Sequence, residues 1–195
     1  MISYIKGPII VCHPTFLIIE AGGIGYQVFI SLQTYSELSS KKEACVLTYY
    51  HVKEDGHSLY GFSTEEERYL FVHLISVNGV GPNTARLILS SLDPLAIKNA
   101  IISGDDLSFK SVKGIGPKTA QRIIIDLKDK LSKENHEIGQ GKGMKVTVKQ
   151  EALSALLALG FARVQIEQGL KQIPDLEANL MSLEGLIKLA LKKLS

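Results

Sequence analysis

Gly79-Val-Gly-Pro-Asn-Thr-Ala-Arg-Leu-Ile-Leu-Ser-Ser-Leu92 recurs, at an offset of 35 residues, as Gly114-Ile-Gly-Pro-Lys-Thr-Ala-Gln-Arg-Ile-Ile-Ile-Asp-Leu127. The copies align without gaps, and seven of the fourteen positions are identical. Gly-aliphatic-Gly reads as a tight turn, because glycine permits positive φ and lets another backbone approach with no Cβ in the way. The proline at 82 or 117 then opens a helix, where its missing N–H costs nothing. Each copy therefore predicts a helix N-terminus presenting free amides, and amides and dipole together favour an anion such as phosphate.

The residues expected to touch that anion are Gly79, Gly81, Asn83, Thr84 and Arg86 in the first copy, and Gly114, Gly116, Lys118, Thr119 and Arg122 in the second. The threonines add a hydroxyl, and Lys118 and Arg122, one helical turn apart, place cations on one face. Nothing in the pattern reaches a base edge, so binding should follow backbone shape rather than base sequence. A single copy would be equally well explained as a corner holding two helices together. Two near-identical copies, one inside a strongly basic stretch, favour anion binding. Gly114-Ile-Gly-Pro-Lys-Thr superficially resembles a nucleotide-binding loop, but Pro117 separates glycine from lysine and the Gly-x-x-x-x-Gly-Lys-Ser/Thr spacing is absent, so no ATP site follows.

The basic stretch emerges only when charge is divided along the chain. The total is +2, but residues 1–63 carry −1, 64–109 carry −3, 110–133 carry +5 and the remainder +1. With 45% hydrophobic and 22% charged residues over 195 positions, the chain has ordinary globular composition, enough for one large or two to three small domains. Its start lacks the basic and apolar regions of a secretion signal, and no apolar run reaches the length of a membrane span. A soluble, cytoplasmic protein with no membrane association is expected. Cys12 and Cys45 lie in apolar, β-branched surroundings and are read as reduced core residues. The histidines at 13, 51, 57, 73 and 136 do not pair with them at ligand spacing, so no metal and no cofactor is expected.

Upstream of the repeat the pattern is that of strands. Thr15 to Ala21 is an apolar run, Gly22-Gly23 a turn, and Ile24, Tyr26, Val28 and Ile30 alternate with smaller or polar residues. Ala44 to Val52 forms a second run, Asp55-Gly56 suits a tight hairpin, and Ser58 to Phe62 resumes. With Met1 to Cys12 this gives about five short strands over residues 1–63. A small closed barrel of the OB-fold kind is expected, because an open sheet would leave edges exposed. At Ser63 the period changes. Ser63 and Glu66 form a capping box and Glu65 to Glu67 suit a helix start, so residues 64–131 are read as helical. Asp93-Pro94 begins another helix and Gly104 ends it.

Residues 132–147 form a break. Ser132 to Lys145 contain one aliphatic residue and three glycines, too little apolar surface to order a segment, and they predict a flexible linker. Residues 148–195 then read as three short amphipathic helices, Gln150 to Leu159, Ala162 to Ile173 and Leu183 to Leu194, punctuated by Gly160 and Pro174 and capped at Ser182. A module this small has a limited core, and such modules usually hold a partner. The expected class is thus mixed and multidomain, all-β followed by all-α.

The two copies look like helix-hairpin-helix motifs, which alone imply only sequence-independent DNA binding. The full order is more specific. A barrel ending in Leu59-Tyr-Gly-Phe62, the pair Asn78-Gly-Val-Gly-Pro82 and Lys113-Gly-Ile-Gly-Pro117, a linker, and a three-helix (UBA-like) module containing Ala158-Leu-Gly-Phe161 together resemble the RuvA family over essentially all 195 residues. That resemblance implies a homotetrameric, non-catalytic subunit that holds the four arms of a Holliday junction open and planar. It implies the ring ATPase RuvB as motor and, in many bacteria, the resolvase RuvC as a further partner. Whether one tetramer or two, an octamer, enclose the junction stays open.

The resemblance also places Glu54 and Asp55 as an acidic pin near the junction centre, where the residues alone read as a solvated turn. It places Leu156, Leu159 and Phe161 on a surface facing RuvB, where the residues alone are equally well read as core. Asn83 departs from the pattern, standing where the family often has a lysine. Two other classes compete. A helix-hairpin-helix glycosylase would need a catalytic acid or lysine beside the second hairpin, but Asp126 and Asp129 alternate with Lys128 and Lys130 as surface charges. A single-strand binder would stack bases over a basic barrel, but residues 1–63 carry −1.

Overall fold

The computed structural model describes residues 1–54, 56–138, 147–174, 178 and 181–194, with the backbone alone described for 129, 132–138 and 194. Two compact units result, residues 1–134 and 135–195.

The first unit begins with strands β1 (Tyr4–His13), β2 (Phe16–Ala21), β3 (Ile24–Ile30), β4 (Glu43–Lys53) and β5 (Gly56–Phe62), which close into a barrel in the order β1-β2-β3-β5-β4. All neighbours are antiparallel except β3 and β5, which meet in parallel through Phe29↔Tyr60 and Ile30↔Gly61. The expected turn joins β2 to β3, with Gly22 and Gly23 at φ +61° and +79° between the paired Ala21 and Ile24. Closure is tight at Gly61, where a Cβ would lie 2.6 Å from Val28 Cγ1 and 2.8 Å from Val46 Cγ1. Ile5, Leu17, Ile19, Val28, Ile30 and Val46 fill the interior.

Helix α1 (Leu32–Leu38) plugs this core with Leu38. Sequence reading does not anticipate it, since seven residues are too few for a helical period to register. Ser31 caps it, accepting from the Thr34 amide at 3.0 Å. The cysteines also depart from expectation: both are free, but Cys12 is only half-buried and Cys45 is exposed. Strand residues alternate between faces, so apolar sequence neighbours do not make a residue part of the core.

Beyond the barrel come α2 (Glu65–Ile75), α3 (Pro82–Ser91), α4 (Pro94–Ser103), α5 (Asp106–Lys110) and α6 (Pro117–Ile138). The cap of α2 is Thr64, which accepts from Glu67 N at 3.2 Å, one residue later than the Ser63–Glu66 box expected. The register shifts because Glu67 has another use: its buried carboxylate accepts from Ser31 Oγ and Thr34 Oγ1, fastening α2 to α1. Asp93 caps α4 at 2.8 Å and Gly104 ends it at φ +81°, both as expected. Barrel and helices share one core, in which Phe71 meets the rings of Tyr60 at 5.1 Å and Phe62 at 4.9 Å above Leu70, Leu74, Ile88 and Phe109.

Helix α6 runs seven residues past Leu131, into the segment read as linker. Lack of aliphatic residues argues against burial but not against helix. Extending an existing helix needs no new nucleus, and Lys133, Glu134 and Glu137 are good helix formers. In the second unit, α7 (Val148–Ala158), α8 (Arg163–Lys171) and α9 (Leu183–Leu194) enclose Ala152, Leu156, Ile166, Leu170, Ile173 and Leu186. Ser182 caps α9, accepting from Gly185 N at 3.2 Å, and Gly160 at φ +91° ends α7. No helix among the described residues is long and apolar enough to cross a membrane.

Candidate nucleic-acid interface

The sequence repeat is a structural repeat. After α2, Val77 N donates to Leu74 O at 3.1 Å, Val80 N to Val77 O at 3.0 Å and Ala85 N to Gly81 O at 2.9 Å. After α5, Val112 N donates to Phe109 O at 3.1 Å, Ile115 N to Val112 O at 3.1 Å and Ala120 N to Gly116 O at 3.0 Å. Val77, Val80, Val112 and Ile115 are buried and anchor each turn from below, while the glycines are exposed above them. The repeat thus extends three residues further back, to Ser76-Val77-Asn78 and Ser111-Val112-Lys113, a signal available in the sequence once the anchoring valine is known.

Gly79 and Gly114 both sit at φ +91°, where an L side chain is strained. Gly81 does not: φ −84° and ψ 169° suit any residue. At all four glycines a Cβ would meet no atom of the described residues, chain neighbours aside, within 4 Å. The close backbone approach expected of these glycines is therefore not to another part of the same unit, and the space above them is open to a ligand. Neither Gly81 nor Gly116 has a side chain to cap its helix. The first-turn amides of α3, Asn83 and Thr84, find no acceptor among the described residues.

The side chains divide. Asn83 and Lys118 are exposed at the helix starts, with Thr84 and Thr119 half-buried beside them. Arg86 turns away to the barrel, where Nη1 donates to Thr15 O at 2.7 Å and the guanidinium lies 5.5 Å from the Phe29 ring centroid. Arg122 reaches across to the first hairpin, donating to Asn78 O at 3.4 Å, and Lys130 reaches Ser76 Oγ at 3.3 Å. Burial and the Lys130 ammonium hold the His73 imidazole below its ordinary pKa. Sequence reasoning missed Ser76 and Asn78, because their role is to receive groups from a helix more than forty residues away.

Glu54 is exposed at the tip of the β4–β5 hairpin, one residue beyond the last pair, Lys53↔Gly56. Asp55 lies outside the described residues. In the second unit the three apolar candidates separate: Leu156 is fully buried, Phe161 packs partly buried against the core, and Leu159 is 62% exposed. Val164, not singled out from sequence, is exposed near it in the chain. Asp126 is exposed on α6.

With this geometry in place, three family models match in chain order: RuvA N-terminal domain over residues 1–61, SAM-like helix-hairpin-helix tandem over 71–129, and RuvA C-terminal domain over 147–195. A protein of Christiangramia forsetii named Holliday junction branch migration complex subunit RuvA is 47% identical over 198 residues, covering all of both chains. This chain belongs to the RuvA family. Members bearing the same name from Amoebophilus asiaticus and Cytophaga hutchinsonii are 45% and 42% identical, each alignment covering 98% of this chain and 100% and 99% of theirs. The RuvA-family barrel, tandem hairpins and C-terminal helices are the elements described above.

Proposed function

We propose that this chain is the non-catalytic, junction-binding subunit of a branch-migration complex serving recombination and DNA repair. The observation carrying this reading is the pair of helix starts with glycine in place of a capping side chain, where a Cβ on any of the four glycines would meet no atom of the described residues within 4 Å. Such ends suit phosphate, and the +5 charge of residues 110–133 suits DNA. The names of the relatives, Holliday junction branch migration complex subunit RuvA, support a four-way junction as the substrate.

In this reading Gly79, Gly81, Asn83 and Thr84, with Gly114, Gly116, Lys118, Thr119 and Arg122, contact phosphates. Arg86 serves the joint between barrel and hairpins instead. Glu54 and Asp55 form the acidic pin, whose fixed negative charge opposes phosphates at the crossover. Four copies present eight hairpins to four arms in the cytoplasm. The second unit engages a RuvB ATPase through Leu159 and Phe161, with Leu156 supporting them from the core, and RuvC is a further partner. The test is a gel shift at matched salt. Tight binding to four-way DNA and weak binding to linear duplex of the same sequence is expected, because several hairpins engage at once. Equal affinity for both sinks the reading.

A further inference from the structure

A cleft of about 280 Å³ lies between the β4–β5 hairpin and the first turn of α3, its walls including His51, Lys53, Ser58, Tyr60, Pro82 and Asn83. The strand register explains the assembly. Tyr49↔Tyr60, His51↔Ser58 and Lys53↔Gly56 are successive same-face pairs, so one side of the hairpin carries a row of ring, imidazole, hydroxyl and ammonium. That row ends beside the exposed tip at Glu54, and the exposed Asn83 at the start of the first hairpin's second helix lines the same cleft. His51 is set between the rings of Tyr49 at 6.2 Å and Tyr60 at 6.3 Å, and its Nε2 is buried with no hydrogen-bond partner. An orphan buried nitrogen is costly, and a turn of the ring toward the cleft that His51 lines would let Nε2–H donate to an oxygen bound there. Lys53 and Ser58 bring donors, the wall opposite brings the uncapped end of α3, and no carboxylate is among the described lining residues.

We propose that this cleft is an additional phosphodiester site, in which Lys53, His51 and Ser58 hold a DNA backbone phosphate beside the first hairpin. It supplies the positive charge that Asn83 does not, and it leads the strand between the acidic tip and the hairpin. The proposal rests on the junction-binding reading above. Its ligand is a phosphate of the DNA backbone, read without touching a base edge.

The test uses the full chain and a four-way junction across a salt series. Lys53→Gln removes one cation from every subunit, and the slope of log affinity against log salt becomes shallower by about 0.9 for each subunit engaged, the value for one neutralised phosphate. His51→Phe keeps the ring between Tyr49 and Tyr60 while removing both nitrogens, and weakens binding by about 3- to 10-fold for each subunit engaged. In the unaltered chain, inorganic phosphate shifts the His51 ring resonances at constant ionic strength where chloride does not. Equal response to chloride and phosphate overturns the proposal. So do unchanged affinity and slope in both variants while a Gly114/Gly116 double variant ceases to bind, an outcome that leaves the junction reading standing. Full binding by that glycine variant overturns the junction reading, and this site with it.

Discussion

The two hairpins follow one backbone path with two sets of side chains. Their turns share φ +91° at the first glycine, a buried aliphatic two residues before it and another directly after it, and hydrogen bonds that agree to about 0.1 Å. Yet Asn83 stands opposite Lys118, Arg86 opposite Gln121, and Leu87 opposite Arg122. The first hairpin commits its arginine to the barrel, through Thr15 and Phe29, while the second turns its cations outward or toward its twin. The two copies share what the turn needs and differ on their helix faces. The first hairpin is bonded to the barrel and the second carries more charge.

The largest expected effect breaks the turns themselves. Gly114→Val with Gly116→Val forces a β-branched residue into positive φ, at about 1–3 kcal/mol, and fills the open approach above the amides. Junction affinity should fall on the order of 100-fold. The matching pair at Gly79 and Gly81 should cost less, because the first hairpin contributes less charge. Gel shifts, with circular dichroism to verify folding, check both. Equal reductions would show that amides alone determine affinity and that the side-chain asymmetry is incidental.

The arginines sharpen the contrast by separating stability from binding. Arg86→Ala removes a charge-assisted bond and a cation–π interaction at the joint, and should lower unfolding free energy by about 1–2 kcal/mol. Arg122→Ala should change stability by less than about 0.5 kcal/mol, since its bond to Asn78 is long and exposed, but make the salt slope shallower. Denaturant melts and salt titrations on both variants are the measurement. The reverse pattern would mean that the two roles are misassigned.

What the sequence could reveal of this division follows from the range of each constraint. Gly114, Pro117, Asp93, Gly104 and Ser182 act within a few residues, so turns and caps were readable in place. Gly-Gly at 22–23 and the alternation after it likewise placed a hairpin. Thr15 is 71 residues from Arg86 and Asn78 is 44 from Arg122, and nothing local announces those carbonyls. The same distance hid the cap of α2: Glu67 is drawn to Ser31 and Thr34, more than thirty residues away, and Thr64 caps the helix one residue later, without the reciprocal glutamate bond of a box. Exposure of Cys45 depended on strand phase, and the extent of α6 on propagation from a helix already formed.

A smaller effect comes from equalising the helix starts. Asn83→Lys gives the first hairpin the cation of the second, and should raise junction affinity about 2- to 5-fold and steepen the salt slope. Lys118→Ala should do the opposite by a similar amount. Because the amides remain, neither change should abolish binding. If Asn83→Lys leaves the slope unaltered, the first hairpin already has its cation from elsewhere, as the Lys53 cleft would provide.

The smallest effect concerns α2, where the first hairpin has a buried acid and the second, entered through the five-residue α5, has none among its described residues. Burial pushes the Glu67 carboxyl up from its ordinary value of 4.5, against the opposing hydrogen bonds from Ser31 and Thr34. A group with a raised folded-state pKa gives stability that is fully present below the unfolded value and is lost as pH rises through the folded one. The window therefore opens near pH 4.5 and extends upward. Glu67→Gln is neutral throughout. It keeps the size of the side chain and, like the protonated acid, offers one acceptor and one donor to Ser31 and Thr34. The variant should therefore melt close to the native chain at the acid end of the window. Above it the variant should melt higher than the native chain, by about 2–4 °C, because the native chain alone loses stability on ionising. Thermal melts at about pH 4 and about pH 8 measure the two gaps. A native chain that melts above the variant at the higher pH would mean that the two hydroxyls stabilise the ionised carboxylate by more than burial opposes it, and α2 would then be held to the barrel by a charge rather than by a proton.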